Sequence, residues 1–189
     1  MKLQPASAEA LGLLALMLYC EARSDAQFHA AGHFVGLTEQ DTGRWNRALI
    51  SEAEACLWRA SQLRSPGSFQ IEAAIQSAHC QRAFTGQVPW GAVASLYGLL
   101  IQHFPSIGAR AGQAVALAEA GSVSSGLAVL QSVPAAEVAA YQPYWVALAH
   151  LQRLAGDASA AHATLQRALG LTADARVREH LMRAHTPRV

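Results

Sequence analysis

The chain has 189 residues, 52% hydrophobic and 14% charged, with a formal net charge of +1. Soluble domains carry about 25% charged residues, so this surface is weakly charged, while the apolar content excludes a disordered chain. No Lys/Arg block occurs, which argues against a direct grip on nucleic acid, because that draws on clustered cations.

Helical periodicity dominates, and there is neither an Asn-Gly hairpin turn nor an alternating Val/Ile/Thr run. A first helix is expected from about Ala6 to Ala22. Its run "LGLLALMLY" falls short of the about 20 apolar residues of a membrane span, and Glu21 and Arg23 end it. Lys2 is a thin basic start with no convincing cleavage site after it, so the segment reads as a buried helix and the protein as cytoplasmic. The stretch 23–38, "RSDAQFHAAGHFVGLT", reads as an irregular loop with a short hairpin and an extended piece at "FVGL".

The second helix is expected to start near Asp41, with Thr38 and Asp41 resembling a capping box. Trp45, Ala48, Leu49, Ala53, Cys56, Leu57, Ala60 and Leu63 fall on one face of a 3.6-residue period and form its expected core side. "SPGS" then makes a turn, with Ser68 as N-cap of the next helix. Further helices are expected over about Phe69–Phe84, Trp90–Phe104, Ile107–Ala120, Ser124–Val133, Pro143–Ala155, Ala158–Leu171 and Ala173–Ala184, with Gly or Pro at nearly every junction. Short loops make successive helices antiparallel neighbours.

Sliding the chain by 35 lays "GSVSSGLAVLQSV" from Gly121 over "GDASAAHATLQRA" from Gly156. The offset is close to the ~34 residues of a tetratricopeptide unit. In the second copy Ala149, Ala161 and Ala168 are the small residues that let two helices approach, and Trp145, Leu148 and Leu165 fill the groove. Gly126 and Val133 hold the equivalent positions of a more degenerate first copy. The expected fold is all-α: a right-handed helical-hairpin stack, a TPR-like α-solenoid of about nine helices. It forms one domain over 1–189, with N-terminal helices over 1–106 and TPR-like repeats over 107–189.

Candidate chemistry is sparse. Cys20, Cys56 and Cys80 form no CxxC pair and leave an odd count, which reads as buried free thiols in a reducing cytosol. His29 and His33 in "FHAAGHF" are four apart, a ligand spacing on a helix, but Gly32 and the loop context favour two solvent-exposed histidines. A metal-binding or enzymatic helical protein using this loop is the rival reading, yet no HExxH, GxSxG, P-loop or GxGxxG motif is present. No catalytic residue, metal site or cofactor is expected. The densest polar stretch, "LTEQDTGRWNRALI", is explained in part by the preference of carboxylates for helix starts and by a core role for Trp45.

Six phrases, in this order, carry a family resemblance: "ALGLLALMLYCEAR", "EQDTGRWNRALI", "GSFQIEAAIQSAH", "AVASLYGLL", "AVALAEAGSVSSGLAVL" and "YQPYWVALAHLQRLAGDASAAHATLQRAL". Together they resemble the C-terminal tetratricopeptide-like extension of extracytoplasmic-function sigma factors, of the sigma-70 family, over about Ala8 to Arg183. The resemblance implies a regulatory protein-interaction module of bacterial transcription initiation. Its implied partners are the sigma factor's promoter-binding regions, the RNA polymerase core, or a further regulatory protein. No helix-turn-helix with basic flanks is found in the chain, so it reads as an isolated domain or a stand-alone relative, a TPR-like adaptor being the alternative. Thr42 and Asn46 stand where the family pattern tends to carry Arg and Asp, and Gln113 where it carries Arg. On this resemblance Glu39, Gln40, Asp41, Arg44, Asn46 and Arg47 are the expected partner-binding surface.

Overall fold

The computed structural model describes residues 7–185, and within them the protein is all-α. The helices are α1 (Ala8–Glu21), α2 (Arg47–Gln62), α3 (Ser68–Cys80), α4 (Arg82–Thr85), α5 (Trp90–His103), α6 (Ile107–Glu119), α7 (Val123–Gln131), α8 (Ala135–Val138), α9 (Gln142–Leu154), α10 (Ala158–Gly170) and α11 (Ala175–His185). Apart from the single turns α4 and α8, these correspond to the expected helices. The expected Phe69–Phe84 helix is divided at Gln81, and the left-handed Gly86 (φ 77°) ends α4.

The second helix begins later than its periodicity suggests. Asp41 accepts the Gly43 N–H and caps only a 3-10 turn, Thr42–Arg44. The N-cap of α2 is Asn46, whose carbonyl Oδ1 accepts from the Ala48 and Leu49 amides at 3.1 and 3.2 Å. The expected Thr38/Asp41 capping box is thus replaced by two caps in series, because Trp45 takes an extended conformation that breaks the helix between them. Asn46→Ala should cost about 1 kcal/mol, read as a melting temperature about 2–4 °C lower. An equal loss from Asp41→Ala would contradict this assignment. Ser68 is also displaced from its expected cap position: Gly67 is the N-cap, and Glu9 of α1 accepts from Ser68 Oγ and the Phe69 amide at 3.0 and 3.1 Å.

Of the expected α2 core face, Trp45, Ala53, Cys56 and Ala60 are buried and Leu49 and Leu57 half-buried, while Ala48 and Leu63 are exposed. Ile50, omitted from that face, is buried. Cys56 and Cys80 are buried free thiols as expected, but Cys20 is exposed on the outer side of α1.

The core is a series of small clusters rather than one. The first joins α1, α2, one side of α3 and the loop after α1, the second the other side of α3 with α5 and α6, the third α6 to α9, and the last α9 to α11. Serial cores of this kind are what stacked helical hairpins bury. The 35-residue offset is visible in the backbone. Gly121 and Gly156 both take left-handed φ, 95° and 84°. At each, the following amide bonds back five residues, Ser122 to the Leu117 carbonyl and Asp157 to the Gln152 carbonyl, which is a Schellman-type helix end. Ala114 and Ala149, Gly126 and Ala161, and Leu130 and Leu165 are buried in pairs across the same offset.

The two ends of the stack meet. Arg183 of α11 reaches the Phe34 carbonyl at 3.5 Å across 149 residues of sequence. Arg176 lies over the Phe28 ring at 5.1 Å, and His180 packs edge-on against Phe34 at 5.3 Å.

Candidate functional site

The structure divides the expected partner-binding strip between two environments. Gln40 points inward, only 6% exposed, accepting from the Trp45 indole at 3.2 Å and donating to the Val35 carbonyl at 3.3 Å. Asn46 is committed to capping α2. Arg44 is exposed but donates to the Phe28 carbonyl at 3.1 Å. Glu39 faces α11, with its carboxylate 3.9 Å from His180 Nδ1. Asp41 and Arg47 remain at the surface.

Arg47 leads to a residue that sequence reasoning missed. It donates to the Ala83 carbonyl at 3.2 Å, and its guanidinium lies 5.0 Å from the centroid of Phe84, a side chain 62% exposed. Beside this pair Arg82 stacks on Trp45 at 5.3 Å and donates to the Thr38, Leu37 and Gln40 carbonyls. One arginine from α4 thus fixes the polar loop against the helix carrying Phe84. The sequence signal was an aromatic residue just before Gly86, at the end of an expected helix, where an exposed ring could have been anticipated.

A second feature lies on the other side of the same loop. A cleft of about 890 Å³ opens between the loop and the last helices. The loop contributes His29, His33, Phe34, Val35 and Glu39, with Arg153 from α9, Ala161, His162 and Leu165 from α10, and His180 and Arg183 from α11. His29 and His33 are not on a helix: the His29 amide bonds the His33 carbonyl at 2.9 Å across a tight turn, with the Phe28–Phe34 bridge closing it. His29 is exposed as expected, whereas His33 is half-buried and paired with Glu179 at 3.1 Å. No group of three or more His, Cys, Asp or Glu side chains among the described residues is arranged to hold a metal ion.

His79 and Cys80, adjacent in sequence, are separated in function by their surroundings. His79 packs edge-on against Trp90 at 5.4 Å, and burial, reinforced by Arg23 and Arg82, pushes its pKa down to about 4. Cys80 belongs to the cluster around α1, where burial pushes its thiol up. An imidazole packed on Trp90 and a protonated thiol packed against α1 do not form a nucleophile–base pair.

No helix among the described residues is long and apolar enough to cross a membrane. Residues 1–61 match a family of unknown function, DUF6596. Over 175 residues the chain is 32% identical to an uncharacterized protein, R00370, of Rhizobium meliloti (strain 1021). The similarity covers 93% of this chain and 41% of that protein, so the chain spans about two fifths of the length of the curated relative it matches. No solved structure matches.

Proposed function

We propose that this helical stack is a regulatory protein-interaction domain of a bacterial extracytoplasmic-function sigma factor, working in the cytoplasm on the sigma factor's promoter-binding regions or the polymerase core. The resemblance carried by the six sequence phrases supplies the partner. The bacterial relative is compatible with it in one respect, since the stretch that matches this chain makes up 41% of that protein. The reading assigns no catalytic residue and no cofactor.

The structural observation that carries the docking role is the exposed Phe84 ring under the Arg47 guanidinium. An aromatic–arginine pair held on rigid helix ends loses little side-chain freedom on binding, which is the character of an interface hot spot. It also gives the expected strip an anchor that its polar residues alone lack. With purified promoter-binding regions and core polymerase as baits, Arg47→Glu and Phe84→Ser should each weaken capture about tenfold or more. Arg44→Glu with Arg47→Glu should weaken it further. Undiminished capture by variants with wild-type helical content would rule this surface out.

A further inference from the structure

The cleft between the loop and α11 lies away from the Arg47–Phe84 pair that anchors the docking surface proposed above and shares only Glu39 with the polar strip. We infer that it binds a small organic anion, a carboxylate or phosphate ester carrying an apolar body.

The charge balance points to an anion. Two guanidinium groups, Arg153 and Arg183, line the cleft against a single carboxylate, Glu39, and four imidazoles add polar ring nitrogens. Glu39 itself lies by His180, and Glu179 is taken by His33. Neither arginine forms a salt bridge within the described residues; Arg183 reaches only the Phe34 carbonyl, at 3.5 Å. Fixed cations facing open space without a counter-charge favour an anionic ligand.

Arg153 is also aimed. Its Nη2 lies 3.3 Å from His150 Nδ1, and His150 Nε2 lies 2.7 Å from Glu119 Oε1. A guanidinium can only donate, so Nδ1 accepts and the Nε2–H donates to Glu119. This relay from α6 through α9 holds the guanidinium from behind, which lowers the entropic cost of using it. His162, near the start of α10, also lines the cleft.

The remaining lining is apolar: Phe34, Val35, Ala161 and Leu165. A volume of about 890 Å³ lies within the range of small-molecule sites. An inorganic ion would leave most of this apolar lining uncovered, whereas a ligand with a hydrocarbon or aromatic body would bury it.

The probe is anilinonaphthalene sulfonate, an anion with a planar apolar body, titrated into the full chain and followed by fluorescence. Arg153→Gln with Arg183→Gln should weaken binding about tenfold or more. The uncharged analogue N-phenylnaphthylamine should bind both proteins alike. Both arginines are exposed, and circular dichroism checks that the double variant folds. On the wild type, probe addition should shift the ring NMR signals of His29, His162 and His180 but not those of His79 or His103. Displacement by naphthoate or by naphthyl phosphate tells a carboxylate ligand from a phosphate ester. Absent binding, equal binding by the double variant, or a signal abolished instead by Trp58→Ala on the outer face of α2 would each overturn the inference.

Discussion

Between pH 7 and pH 4 the stability of this protein is expected to fall by about 3 kcal/mol through one side chain, His79, whose pKa is lowered from 6.5 to about 4. The imidazole is buried against Trp90, and its Nδ1 has no hydrogen-bond partner. Burial opposes the cation first, and the guanidinium groups of Arg23 and Arg82 oppose it further. The direction follows from proton counting. Below pH 6.5 the unfolded chain takes up a proton that folded His79 refuses, so the unfolded state gains. Stability from this group is complete above 6.5, declines as pH falls, and levels off once the folded imidazole also protonates near 4. Glu72 acts in the opposite sense, because burial and the neighbouring Glu9 raise its carboxyl. The diagnostic quantity is therefore the difference between wild type and His79→Phe, which keeps an aromatic edge against Trp90 and removes the titration. Urea melts across this range should give a shallower pH dependence for the variant. Parallel curves would mean that His79 is not the source.

Gly12→Ala and Gly126→Ala should each destabilise the protein by about 2 kcal/mol, lowering the melting temperature by about 4–8 °C. Gly91→Ala should instead raise stability by up to about 1 kcal/mol. All three glycines lie in helices, where alanine is intrinsically preferred, so propensity alone predicts stabilisation at every one. Packing reverses the sign at two of them. A Cβ on Gly12 would sit 2.6 Å from the Gln70 backbone nitrogen, and one on Gly126 would sit 2.5 Å from the Ala114 carbonyl oxygen. Neither neighbour can rotate away, since both are main-chain atoms of the packed helices α3 and α6. A Cβ on Gly91 meets nothing within 4 Å. Differential scanning calorimetry on the three variants decides the matter: shifts of one common sign would show that helix propensity, not interhelical distance, governs these sites.

Gly126 also accounts for the degenerate pattern of the first repeat. Its partner across the 35-residue offset is Ala161, and both are buried. The glycine marks an even closer helix approach at α6 and α7 rather than decay of the pattern. Position within the repeat was legible; the distance between helices was not, because it depends on the backbone of a neighbouring element.

The polar stretch 37–50 is less legible in the sequence for a related reason. Its composition separated a helix start from a core tryptophan, and Trp45 is indeed buried. Nothing local distinguishes Gln40 from Arg47, yet the first lies under the loop and the second on the surface. That difference is imposed by Trp45, which draws Gln40 inward to satisfy its indole N–H, and by Arg82, which donates to loop carbonyls 42 to 45 residues earlier in the chain.

The helical class, nearly every long helix and the 35-residue offset between Gly121 and Gly156 are legible in the sequence. These rest on interactions within four residues along a helix and on Gly or Pro at its ends, so a short window contains them. The sequence also carries the resemblance from which the proposed partner comes. Long-range packing instead sets that α1 lends Glu9 to the start of α3, that Phe84 stands out beneath Arg47, and that α11 returns to the loop bearing His29 and His33. The last of these is the accumulated result of every packing angle in the stack. A small rotation at each interface sets where the final helix arrives, and no single segment encodes that sum.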